Sequence, residues 1–247
     1  MKSIHNPEDF LKTGGQDRPG PALYTTWQKN AIIPRMPANF IRRPFRYSFS
    51  NATFMLIAVN AAVFLLTSLS PRLRTWLSMN VVMVVHYRCF WQPVTYMFTH
   101  AGVRHLFFNM LALFFFGLPV EKTVGSKEFL LLYFFCGIMD GLISLAFYYL
   151  VGGYGVFLLG ASGAVYSLLL AYAVIFPRSR IFVFGLIPLP APVMVALYAA
   201  IEFLSQFSAD GTAHFTHLTG FALAWLYLRV RMGLKPVKIW KDAWRGF

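Results

Sequence analysis

From residue 53 onward the chain alternates uncharged apolar stretches with short polar or basic connections. Residues 53–69 are broken only by Asn60 and small hydroxyls, and residues 103–120 begin polar with Arg104, His105 and Asn109 before turning apolar. Residues 129–150 carry one acid, Asp140, near their middle. Residues 155–176 hold no charge. Residues 191–207, with Glu202 near their end, and residues 214–230 complete the series. A helix of about 20 apolar residues crosses the roughly 30 Å of bilayer hydrocarbon. The pattern therefore predicts an all-α membrane protein, a bundle of six transmembrane helices.

The connections differ in kind. Residues 71–92 are too apolar for an ordinary loop, with Trp76, Trp91 and a Val-rich run at 81–85 beside Arg72, Arg74 and Arg88. Such a mixture suits a loop half-immersed at the membrane surface, and residues 93–100 continue it. Residues 121–128 form a short charged turn. Residues 181–192 contain Pro188, Pro190 and Pro192, which argues against a continuous helix there.

Composition agrees with the pattern. Charged residues are 13% against roughly 25% in soluble domains, and mean hydropathy is +0.57. The two cysteines, Cys89 and Cys136, supply neither a disulfide framework nor a thiol metal cluster. The first ten residues lack a short apolar core with a cleavage site, so no secretory signal is expected.

The net charge of +13 is gathered at the two ends: eight Lys or Arg precede residue 50, and six lie from Arg229 onward. That placement reads as cytoplasmic flanks on a membrane domain, with both termini inside and anionic lipid beside them. No aromatic-interleaved basic groove accompanies the charge, so no nucleic-acid partner is expected. The organisation is a basic Pro-rich segment at 1–50, a membrane domain at 51–232 and a basic tail at 233–247.

With both termini inside, His105, Asn109, Ser162, His214 and His217 all fall in the outer half of the membrane. Ser162 stands between small residues in Gly160-Ala161-Ser162-Gly163. A serine hydroxyl is a weak nucleophile until a base takes its proton, and His214 and His217 lie at matching depth. His217, Gly220 and Ala224 make a small stripe on one span; Gly163, Ser167 and Ala171 make one on another. Two small faces allow the close approach that a Ser–His hydrogen bond requires. No carboxylate is expected beside either histidine, which favours a dyad over a triad. Tyr166, one turn from Ser162, is placed to stack on the imidazole. His105 and Asn109 share a helix face and, with the Ser162 amide, are suitable oxyanion donors.

The residues alone leave other readings open. Small residues and buried His or Asn also serve helix packing. Asp140 fits a proton relay or a plain interhelical hydrogen bond. His105, Asp140 and the histidine pair could line the ion path of a transporter. A di-histidine metal or haem site is a further reading, although no His-Glu-x-x-His motif exists.

Gly160-Ala161-Ser162-Gly163, His105-x-x-x-Asn109 and His217-x-x-Gly220 together resemble the rhomboid family of intramembrane serine proteases. The likeness extends over residues 51–232 and includes Glu121-Lys122, Gly125-Ser126 and Tyr166. It implies a rhomboid-like bundle with a membrane-embedded outer loop after the first helix. It implies Ser162 as nucleophile, His217 as base, and His105, Asn109 and the Ser162 amide as oxyanion hole, with Tyr166, Gly160, Gly163 and Gly220 in support. No metal or cofactor is implied. The implied partners are transmembrane proteins that enter laterally from the bilayer near the second and fifth helices and are cut in or near a membrane segment. The implied location is a cell membrane, the inner membrane of a bacterium. Members with the serine or histidine replaced are inactive, and both residues stand here. Trp91-Gln92 departs from the commoner Trp-Arg and puts a loop contact in question. His214 is a second candidate base, expected as a polar wall at the cavity mouth.

Overall fold

The computed structural model describes residues 40–42, 45–183, 186–205 and 214–245. The segment 1–39, which holds most of the predicted basic N-terminal region, lies outside them. Among the described residues three helices are long and apolar enough to cross a membrane: α1 (Ala52–Leu69), α5 (Val103–Val124) and α6 (Ser126–Leu150). Between α1 and α5 the connection expected on the outer side folds into three short α-helices, α2 (Pro71–Leu77), α3 (Val81–Val85) and α4 (Gln92–Thr95), and a 3-10 turn at Tyr96–Phe98. Two shorter apolar helices follow α6, namely α7 (Ser162–Ile175) and α8 (Ala191–Leu204). They precede α9 (His214–Val230) and α10 (Pro236–Trp244). Large apolar side chains such as Phe54, Leu66, Leu69, Phe107 and Phe115 face outward, while Thr53, Asn60, Gln92, Ser144 and Ser167 are buried. An apolar exterior around polar interior groups is the arrangement lipid favours.

Several expectations need correcting. Residues 155–176 do not form one helix: α7 starts at Ser162 and has 14 residues, about 21 Å at 1.5 Å per residue. The preceding chain instead reaches inward as a strand-like loop fastened to the outer connection. Met79 and Leu158 exchange N–H···O bonds of 2.8 Å, and the Gly160 N–H donates to the Tyr96 carbonyl at 2.9 Å. Pairing with another backbone satisfies groups that a helix would otherwise have satisfied itself. The segment after residue 180 forms no continuous helix, as its prolines predict, and is an antiparallel hairpin, β1 (Arg180–Val183) with β2 (Ile187–Pro190), in register Arg180↔Pro190. A two-stranded hairpin has only edges, so its prolines are tolerated. The basic tail carries α10, whose Trp240 Nε1–H donates to the Ala173 carbonyl at 2.9 Å.

The predicted charged turn at 121–128 is mostly helix. Helix α5 runs on to Val124 through a π-helical turn at Leu113–Gly117. Gly125, with φ of 85°, makes the break before α6. Glu121 is wholly buried and accepts from the Ala52 N–H at 2.7 Å and the Thr53 N–H at 2.8 Å. It thereby caps α1, whose own N-cap Asn51 makes no side-chain bond.

Helix α7 forms the centre, with all residues from Gly163 to Ile175 except Tyr166 buried. It meets α9 where the small stripes face each other. A Cβ on Gly220 would collide with the Gly163 carbonyl, and Ser167 Oγ donates to the Gly220 carbonyl at 2.8 Å. The outer connection is locked by Trp76 and Trp91, stacked at 5.9 Å. Gln92, the departure noted above, is fully buried. Its Nε2 donates to the Trp76 carbonyl at 3.0 Å, and its Oε1 accepts from the Asn80 N–H at 3.1 Å. A neutral amide meets both a donor and an acceptor there.

Candidate active site

Ser162 opens α7, and His217 lies one turn into α9. The glycine-mediated approach of the two helices brings Ser162 Oγ to 2.9 Å from His217 Nε2. Tyr166 stacks on the His217 ring with centroids 4.4 Å apart and planes 8° from parallel. Gly163 is required by space, because a Cβ there would fall inside the Asp140 carboxyl. Gly160 is required twice over: its φ is 121°, and a Cβ would stand 2.7 Å from His105 Cε1.

Ser162, Tyr166 and His217 line a cavity of about 1210 Å³ together with His105, Asn109 and, from α8, Tyr198. Asn109 donates one amide N–H to the His105 carbonyl at 2.9 Å and keeps a second donor. The His105 ring packs edge-on to His100 at 5.1 Å. Its Nδ1 accepts a long bond, 3.5 Å, from the Ala101 N–H, which favours the proton on Nε2. Asp140 is wholly buried and does not line the cavity.

The sequence profile of the rhomboid domain matches residues 87–233. The chain belongs to the rhomboid family. It is 29% identical over 198 residues to mitochondrial rhomboid protein 1 of Saccharomyces cerevisiae, covering 74% of this chain and 55% of that protein. It is 39% identical over 92 residues to RHOMBOID-like protein 1 of Arabidopsis thaliana, 37% of this chain and 22% of the relative. With rhomboid protease GluP of Bacillus subtilis the identity is 38% over 79 residues, 32% and 14% of the two chains. The chain spans about half the length of the mitochondrial relatives it matches.

One expectation about this rhomboid's site fails. A carboxylate does stand beside both histidines. Glu202, near the end of α8, is only 5% exposed. Its Oε2 lies 2.6 Å from His214 Nδ1, and its Oε1 lies 3.0 Å from His217 Nδ1. The Tyr166 hydroxyl donates to the same Oε1. His214 is therefore a partner of Glu202 and does not wall the cavity. The sequence did hold a signal for this. Glu202 ends one span and His214 starts the next, which puts them at equal depth with few residues between. What it lacked was the rotation of α8 about its own axis. Glu202, His214 and His217 also present donor atoms within 4.8 Å of one another, near enough to hold a metal ion.

Proposed function

We propose that this rhomboid is an intramembrane serine endopeptidase that cleaves transmembrane segments of other membrane proteins. Ser162 is the nucleophile and His217 its base. The supporting observation is the 2.9 Å separation of Ser162 Oγ and His217 Nε2. As Oγ adds to the scissile carbonyl carbon, its proton passes to Nε2. The oxyanion forms beside His105, Asn109 and the N–H of Ser162 at its helix start, where donors are already aimed inward. The C–N bond breaks as Nε2 returns the proton to the departing amine. Water then attacks the acyl-serine with the same base and releases the second product. Tyr166 holds the ring face, and Gly160, Gly163 and Gly220 hold the close approach.

The membrane domain, residues 51–232, carries six spanning helices with both termini cytoplasmic in a cell membrane. Residues 1–50 and 233–247 are its basic flanks. Substrate enters from the bilayer between α5 and α8, both of which line the cavity. Access through lipid suits a hydrophobic, membrane-embedded substrate.

Ser162→Ala and His217→Ala should each lower cleavage of a detergent-solubilised transmembrane substrate by at least about 10³-fold, with the unfolding temperature unchanged. Wild-type cleavage by Ser162→Ala would end this reading.

A further inference from the structure

We infer that Glu202 is a positioning residue for His217, backing the Ser162–His217 pair with a carboxylate that His214 tethers. The inference rests on the serine-protease reading above. A base at Nε2 needs its lone pair there, so the ring's single proton must sit on Nδ1. Nδ1 is the atom that faces Glu202, at 3.0 Å. A buried carboxylate at that nitrogen favours the catalytic tautomer. It also offsets the charge of the imidazolium formed when the Ser162 proton arrives, which an apolar bundle would otherwise penalise heavily. Glu202 stays ionised throughout and receives no proton.

The carboxylate is itself held. Its second oxygen is fixed by His214 Nδ1 at 2.6 Å, and Oε1 also accepts from the Tyr166 hydroxyl. Tyr166 is the residue whose ring covers the face of His217. One carboxylate thus stands at the edge of the imidazole and holds the hydroxyl of the tyrosine that covers its face. At rest the His217 Nδ1 contact is close without hydrogen-bond alignment. Catalytic contacts of this kind often tighten only once the ring acquires charge. Among the described residues Asp140 packs against Gly163, and Glu202 is the carboxylate that stands at the base.

The test is kinetic and spectroscopic. Glu202→Gln should lower kcat about 10²-fold with KM unchanged, and Glu202→Asp should recover part of the loss. Nitrogen NMR of the His217 ring in the wild-type protein, assigned against His217→Gln, should show Nδ1 protonated and Nε2 bare. This second measurement stands even if the Gln variant fails to fold. Wild-type kcat in folded Glu202→Gln, or the opposite tautomer in the wild type, would overturn the inference. Activity lost in EDTA and restored by zinc would overturn it too, by making the three side chains metal ligands. If Ser162→Ala is dead while Glu202→Gln is fully active, only the role of Glu202 fails and the protease reading stands.

Discussion

Glu121 and Glu202 are both buried carboxylates at helix ends, and their surroundings could hardly differ more. Glu121 is held by groups that do not titrate: the backbone of Ala52 and Thr53 and the hydroxyls of Thr53 and Ser126. Glu202 is held by His214, His217 and Tyr166. The first set fastens α1 to the junction of α5 and α6 and has one protonation state. The second lies behind the candidate nucleophile and contains groups able to exchange protons. The same side chain serves as a clamp at one end of the bundle and stands among titratable groups at the other, and its neighbours decide which.

Three experiments probe that contrast. The largest effect is expected at the clamp. Glu121→Ala leaves several buried donors unmet, at about 1–3 kcal/mol each, so the unfolding temperature should drop sharply while serine labelling of the folded fraction stays at the wild-type rate. A labelling rate that falls with stability would mean that the two ends are not separable. Next comes Gly220→Ala, which pushes α9 off the Gly163 carbonyl. Overpacking of this kind costs about 1–3 kcal/mol. Unlike Glu121→Ala, it should also abolish labelling of Ser162, because it widens the Ser–His gap. The last effect is confined to acid and vanishes above about pH 6.5. His100, in the outer connection ahead of α5, is held near pKa 4, below its ordinary 6.5, by burial and then by His105. The unfolded chain therefore binds a proton that the folded one refuses between those values. Stability should be complete above about pH 6.5 and decline as pH falls toward 4. His100→Gln should flatten that slope, and an unchanged slope would place the sensitivity elsewhere.

Much of this was legible in the sequence. Hydropathy marked the long helices, because burial in lipid selects apolar residues one by one wherever they fall. The short motifs around His105, Ser162 and His217 stood out because polar groups are costly in such stretches. Other features were not legible. Gln92 became a satisfied buried amide only through the folds of the outer connection, and residues 155–161 read as helix because apolarity does not distinguish a helix from a strand-like loop bonded to a neighbour.

The sequence alone determined that the chain enters a membrane, and it marked which residues could carry chemistry. Both follow from hydropathy counted along the chain, which is one-dimensional information. The tertiary structure alone decided which way each helix turns about its axis, and therefore that the side chain of Glu202 meets two histidines and a tyrosine rather than lipid. That rotation is set by the packing of glycines and aromatics on neighbouring helices, which no single stretch of the chain contains.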